Sequence, residues 1–199
     1  MYLSYKGTFS SARSRYFDAV LRRFCGAGAR LLDYGCGPGD MLLACKARGV
    51  EAIGVDNSDY SLRLAASRQL DVVKGDYRSL SLDPGTFDVL FMQSVIEHLK
   101  DPVEAVSALA RFVKPGGRII LSAPTPENSF WDDPTHVRPY TPKSLLSLGE
   151  ICGLEVEHLT YVFAFLLGLQ LRSPLFYRLL NLFPFPLGSN LLCVYRKAI

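Results

Sequence analysis

Residues 31–39 read Leu-Leu-Asp-Tyr-Gly-Cys-Gly-Pro-Gly. An apolar run ends in an acid, Asp33, and then breaks into glycines at alternate positions, Gly35, Gly37 and Gly39. Ala29 to Asp33 predicts a buried strand, and Asp40 to Arg48 predicts a helix closed by Gly49. The glycines therefore lie in a strand-to-helix turn, where missing side chains let the backbone bend and approach a ligand closely. The helix N-terminus beside the turn offers unpaired N–H groups to an electronegative group.

The spacing narrows the ligand. A dinucleotide fingerprint places its third glycine where Asp40 stands. The Lys-Ser/Thr pair of a phosphate-cradling loop is also missing. Outward from the turn, Glu51-Ala-Ile-Gly-Val-Asp56 predicts a second short strand ending in an acid. In a parallel α/β unit Asp33 and Asp56 both fall at the carboxyl edge of adjacent strands, where ligands bind. A carboxylate at Asp56 suits the two hydroxyls of a ribose. Asp71-Val-Val-Lys-Gly-Asp76 repeats the pattern and puts Asp76 and Tyr77 at the same edge. Phe87–Met92 predicts a fourth strand leading into Gln93-Ser-Val-Ile-Glu-His-Leu99. Val113–Pro124 predicts the end of a helix, a Pro-Gly-Gly turn and a fifth strand.

Asp-x-Gly-x-Gly-x-Gly, as Asp33 to Gly39, resembles the first motif of the class I S-adenosylmethionine-dependent methyltransferases. The segments that follow resemble that family's in order and spacing, over roughly residues 28–160. Within it the chain is similar to the small-molecule enzymes of ubiquinone and menaquinone biosynthesis. The resemblance implies an α/β fold of three layers, Rossmann-like, with helices on both faces of a seven-stranded, mostly parallel sheet. Its strand order would be 3-2-1-4-5-7-6 with strand 7 antiparallel. It implies S-adenosyl-L-methionine as cofactor and S-adenosyl-L-homocysteine as product. The cofactor-binding positions become Asp33, Tyr34, Gly35, Cys36, Gly37, Gly39, Asp56, Asn57, Asp76, Tyr77 and Gln93.

Bulk properties fit this reading. A chain of 199 residues, 49% hydrophobic and 21% charged, suits one globular domain with a sizeable core. A net charge of +3 from scattered basic residues does not suggest a nucleic-acid partner. Arg13, Arg15, Arg22 and Arg23 read as the solvated face of an amphipathic helix over about Ser10–Phe24, with Tyr16, Phe17, Val20, Leu21 and Phe24 as its apolar stripe. Five cysteines without a paired framework, and no apolar leader, lead to the expectation of a cytoplasmic protein.

The domain divides into an N-terminal helical cap (1–27), a cofactor-binding core (28–162), an apolar insertion (163–189) and a final strand (190–199). Further helices are expected over Asp59–Gln69, Pro102–Val113 and Thr141–Cys152, and strands over Leu154–Val162 and Asn190–Lys197. The charge-free stretch from Leu159 to Leu171 is shorter than the roughly 20 residues of a membrane span. The insertion is left with three roles: extra core, a homodimer interface, or a surface meeting lipid or an apolar acceptor.

The cofactor's sulfonium makes its methyl carbon electrophilic, so the protein must mainly align a nucleophile with the C–S bond. Aromatic faces shelter such a cation, and Tyr34, Tyr77 and Tyr5 are the candidates. The proton of a hydroxyl acceptor needs a base, and Glu97, His98 and His136 are the candidates. His136 lies in Asp-Pro-x-His-x-Arg-x-Tyr-Thr, which also reads as a loop tied by hydrogen bonds with Thr141 capping the next helix. In ubiquinone-pathway O-methyltransferases, which the Glu97-His98 segment resembles, a carboxylate three residues before that pair belongs to a metal-binding set. Here that residue is Ser94, so no metal is expected. The main expectation is methyl transfer to a small-molecule or lipid-like acceptor, at oxygen. The alternatives are a non-catalytic cofactor-binding module and a nucleic-acid methyltransferase, the latter disfavoured by Gln93-Ser-Val-Ile after the fourth strand.

Overall fold

The computed structural model describes residues 11–162 and 190–199. Its strands are β1 (Arg30–Tyr34), β2 (Glu51–Asp56), β3 (Val72–Lys74), β4 (Phe87–Gln93), β5 (Val113–Pro124), β6 (Leu154–Val162) and β7 (Asn190–Lys197). They form a seven-stranded sheet in the order β3-β2-β1-β4-β5-β7-β6. The pairings β1–β2, β1–β4, β2–β3 and β4–β5 are parallel, and β7 runs antiparallel between β5 and β6. The helices are α1 (Ser11–Phe24), α2 (Asp40–Ala47), α3 (Asp59–Ser67), α4 (Pro102–Ala110) and α5 (Pro142–Ile151). The expected order and direction of every strand are met.

The central strands are apolar on both faces because both faces are covered. Alternate residues sort to the two sides of the sheet. Leu31, Val89, Phe91, Ile120, Leu192 and Val194 pack with Tyr16, Phe17, Val20, Leu21 and Phe24 of α1. Leu32, Leu90, Met92, Ile119, Leu121 and Leu191 join the opposite layer with Val106 and Leu109 of α4 and Leu145 and Leu148 of α5. Each such side chain contributes about 1.5–3 kcal/mol on burial. The stripe predicted for α1 is therefore core, and it anchors the cap to the sheet.

The largest departure from the expected helix boundaries is at α4. α4 ends at Ala110 instead of Val113. Phe112 and Val113 are fully buried, and Val113 already pairs with Phe87 on β4. Pairing then resumes at Val89 and Arg118, so Pro115, Gly116 and Gly117 bulge out of β5. Proline brings no N–H to the ladder, and Gly116 takes φ +73°.

α5 begins with the predicted cap. Thr141 Oγ1 accepts the Ser144 N–H at 3.1 Å, and Ser144 Oγ accepts the Thr141 N–H at 2.8 Å. Tyr5 and the insertion 163–189 lie outside the described residues. Among the described residues no helix is long and apolar enough to cross a membrane.

Candidate functional site

Because β1, β2 and β4 run parallel, their carboxyl ends deliver Asp33, Tyr34, Asp56 and Gln93 to one edge of the sheet. The glycine turn leaves β1 there and is held from the neighbouring strand. Gly35 and Cys36 donate their N–H groups to the Val55 carbonyl at 2.7 and 3.0 Å. Asp56 Oδ2 accepts the Gly37 N–H at 2.8 Å, and its Oδ1 accepts the Ser58 N–H at 2.8 Å. Gly35 has φ +78°, and a side chain there would run into Val95. The residue type is thus imposed twice, by conformation and by space.

Two cavities open along this edge. The first, of about 150 Å³, is lined by Arg13, Asp33, Gly37, Met41 and Gln93 among others. The second, of about 370 Å³, is lined by Tyr34, Asp56, Asn57, Gly75, Val95, His98 and Thr135 among others. They share Gly35 and Ser94. Ser94 turns sharply off β4 with φ +51°, and its N–H is held by the Ser122 carbonyl at 2.9 Å. Backbone in that conformation costs energy and is kept where the surroundings impose it, commonly at functional sites.

Asp33 forms part of the first cavity while only 3% exposed. Burial, reinforced by the neighbouring Asp56 and Asp40, pushes its carboxyl up to about 8. Asp40 is held between Arg13 at 3.3 Å and Arg68 at 3.1 Å. Arg13 is the functional candidate that the sequence reading missed. It lies three and four residues before Tyr16 and Phe17, which places it on the buried side of α1.

Two residues expected at the cofactor, Tyr77 and Asp76, are engaged within the protein. The Tyr77 ring is 5% exposed and packed in the main core, its hydroxyl on Glu104 at 3.1 Å and its N–H on the Tyr34 hydroxyl at 3.1 Å. It offers no free face for a sulfonium or an adenine. Asp76 closes its own turn, accepting the N–H groups of Arg78 at 2.8 Å and Ser79 at 3.2 Å. Gly75, just before it, is what reaches the second cavity. Cys36 borders the first cavity, and burial pushes its thiol up, away from the reactive thiolate.

The three base candidates are brought together. Glu97, His98 and His136 each present a ligand atom, and these lie within 4.8 Å of one another. The Thr135 hydroxyl donates to Asp133 Oδ1 at 2.6 Å and so accepts at 3.0 Å from His98 Nδ1, whose N–H also faces the Thr135 carbonyl at 3.3 Å. The lone pair of His98 is therefore at Nε2. His136 donates its Nδ1–H to the Phe130 carbonyl at 2.7 Å and stacks on the Phe130 ring at 4.4 Å. Glu97 is 1% exposed, and burial pushes its carboxyl up to about 7. The loop is tied down as well, the Val137 N–H donating to the Glu97 carbonyl at 2.7 Å. The hydrogen-bonded loop and the clustered candidate groups are thus one arrangement.

A sequence model described as a methyltransferase domain matches residues 9–159, most of the chain and all of this site. The chain belongs to the class I S-adenosylmethionine-dependent methyltransferases. Among curated proteins it is similar to the ubiquinone biosynthesis O-methyltransferase of Pseudomonas aeruginosa, 38% identical over 103 residues, covering 48% of this chain and 44% of that one. The chain thus spans less than half the length of that relative. Among solved structures, a SAM-dependent methyltransferase from Archaeoglobus fulgidus matches with a TM-score of 0.66 and 24% identity, covering 92% of this chain and 94% of that one. Haemonchus contortus phosphoethanolamine N-methyltransferase 2, solved with S-adenosyl-L-methionine, matches with a TM-score of 0.70 and 19% identity over 92% of this chain and 52% of that one. These two likenesses show the methyltransferase fold. Oxygen and nitrogen methylation are both named among the similar proteins, so the acceptor atom has to be argued from the site.

Proposed function

We propose that this methyltransferase transfers the methyl group of S-adenosylmethionine to an oxygen of a small-molecule or lipid-like acceptor. The observation that carries this reading is the junction of the two cavities at Gly35 and Ser94. A nucleoside held by Asp56 and Asn57 occupies the larger cavity, and an amino-acid tail occupies the smaller one. The sulfonium then lies at the junction. Asp33 meets the tail's ammonium group, and Arg13 is placed for its carboxylate. A charged partner of this kind stabilises a buried carboxylate that is otherwise costly to ionise.

His98, at the edge of the nucleoside cavity, takes the acceptor's proton at Nε2. Thr135 and Asp133 hold the ring in the tautomer this requires, as an orienting group does for a catalytic histidine. Transfer then forms a carbon–oxygen bond as the carbon–sulfur bond breaks, leaving neutral S-adenosylhomocysteine. The 38% identity to an O-methyltransferase supports oxygen as the acceptor atom. The apolar composition of residues 163–189 supports a lipid-like acceptor, a membrane surface or a second copy of the chain as a partner. The five free thiols support a reducing, cytoplasmic setting.

The test is a panel of phenolic, aliphatic hydroxyl, amine and nucleic-acid acceptors incubated with S-adenosylmethionine, with S-adenosylhomocysteine release as the readout. Release with hydroxyl acceptors alone is the expected result. Methylation confined to amines or to RNA and DNA would refute the assignment.

A further inference from the structure

We propose that the groove between the N-terminal turns of α4 and α5 binds a medium-chain amphiphilic monoanion of the fatty-carboxylate class. The groove is a cavity of about 460 Å³ with mostly apolar walls. Val103 of α4, Pro139 of the loop ahead of α5, and Leu148 and Ile151 of α5 supply those walls. Such a volume, walled by apolar groups with a few polar ones, is typical of a small-molecule pocket. The groove shares no lining residue with the two cavities that meet at Gly35 and Ser94. It is thus a site beyond methyl transfer, and its ligand is not the methyl acceptor.

The charges on the lining name the head of that ligand. Arg138 and Lys143 both line the groove, and among the described residues no carboxylate does. Neither cation belongs to an ion pair of the described residues. The acids at the start of α4 are engaged elsewhere. Asp101 caps that helix, accepting the Glu104 N–H at 2.9 Å, and the Glu104 carboxylate takes the Tyr77 hydroxyl at 3.1 Å and Arg78 Nε at 3.2 Å. Arg138 is exposed but held in place, one Nη donating to the Lys100 carbonyl at 3.1 Å, which leaves its other N–H groups for a ligand. A cation fixed in advance gives up little freedom when it binds.

The α5 surface names the tail. Lys143, Ser147 and Ile151 follow at i, i+4 and i+8, so one line on the helix runs from a charge through a hydroxyl to an apolar end. Ile151 is 66% exposed, an apolar side chain that the core does not use. The complement of this line is an anionic head joined to a hydrocarbon chain. A carboxylate forms charge-assisted hydrogen bonds with Arg138 and Lys143, and the chain covers Val103, Leu148 and Ile151. The N-terminal turns of α4 and α5 bring the positive ends of two helix dipoles to the same side.

The test is equilibrium dialysis of the full chain against octanoate. Octanol and octylammonium serve as the neutral and cationic counterparts, and acetate as the head without the chain. The expected result is one equivalent of octanoate bound, with each of the other three at least about 10-fold weaker. Lys143→Gln and Ile151→Asp, both at exposed positions, should each weaken octanoate binding about 5-fold or more. S-adenosylhomocysteine affinity, measured on the same samples, reports that each variant is folded. Saturating S-adenosylhomocysteine should leave octanoate binding unchanged. No uptake at millimolar octanoate, equal uptake of octanol or acetate, or octanoate binding that both folded variants retain would overturn the site. Competition between octanoate and S-adenosylhomocysteine would overturn it by moving the ligand to the other cavities. Capture of the protein by phosphatidylglycerol vesicles without octanoate uptake would overturn it in favour of a membrane surface.

Discussion

Asp56 accepts the Gly37 N–H at 2.8 Å, so the acid that tips β2 also fixes the glycine turn that leaves β1. Its other oxygen holds the Ser58 N–H at the start of α3. A single carboxylate thus builds the turn and keeps further lone pairs for the ribose hydroxyls that we propose it holds. Asp56→Ala should weaken S-adenosylhomocysteine binding about 10- to 100-fold and destabilise the free protein by about 1–2 kcal/mol. Asp56→Asn, which retains one acceptor oxygen, should fall between. Calorimetric titration and chemical denaturation of the same samples separate the two losses, and loss of affinity with unchanged stability would count against the double role.

Asp33 gives the free protein a distinctive dependence on pH. Its carboxyl is raised to about 8 in the folded state, against about 3.9 unfolded. The folded protein then holds a proton that the unfolded chain has released, so this group's contribution to stability is full below pH 4 and is lost as pH rises towards 8. Asp33→Asn removes the ionisation. The variant should be more stable than the parent at pH 8, little different at pH 4, and at least about 10-fold weaker in binding the cofactor. Melting temperatures across that range check the sign, and a variant less stable at pH 8 would contradict it.

Gly35 is constrained by φ +78° and by contact with Val95, and the two constraints can be separated. Gly35→Ala should cost at least about 1 kcal/mol from backbone strain, with more from the collision. Val95→Ala placed in the same chain should recover the collision part and leave the strain. A double-mutant cycle from urea denaturation measures the recovery. Strict additivity of the two changes would show that the steric account is wrong.

Thr135 is the link that orients His98. Thr135→Val keeps the shape and removes the hydroxyl, so the rate at saturating acceptor should fall about 10-fold or more while S-adenosylhomocysteine affinity stays within about 2-fold. Thr135→Ser should restore the rate. A fall in affinity with no change in rate would reassign the residue to cofactor binding.

Tyr195 provides a contrast remote from the site. Its fully buried hydroxyl donates to the Leu145 carbonyl at 2.8 Å, linking β7 to α5. Tyr195→Phe removes that hydrogen bond from the core and should cost about 1 kcal/mol in unfolding free energy. Cofactor binding should be unchanged.

The fold was legible because its signals are local and repeated. Each parallel strand is an apolar run ending in an acid or a turn, and the glycine motif marks where the first one meets its helix. The helix cap at Thr141 was legible for the same reason. What escaped notice depends on groups distant in sequence meeting in space. Nothing in Val113-Lys-Pro-Gly-Gly-Arg118 announces that Val113 is already paired with Phe87, which is why α4 stops short of its expected end. Tyr77 and Asp76 follow a strand as an adenine contact would, while Glu104 and Tyr34 hold the tyrosine and the local turn takes one oxygen of the acid. Arg13 read as a solvated charge because helical periodicity alone does not show which cavity lies beside the helix. The Asp-x-x-His pattern was legible as a loop tie, whereas the hold of Asp133 on His98 through Thr135 emerges only once the loop folds back over the 3-10 turn.

The central claim is that one ligand spans both cavities, with its sulfur at the place they share. A crystal structure of the protein with S-adenosylhomocysteine tests it most directly. The expected map shows the ribose hydroxyls on Asp56, the amino-acid tail between Asp33 and Arg13, and the sulfur beside Gly35 and Ser94. A ligand bound elsewhere, or an empty edge at saturating concentration, would contradict the account.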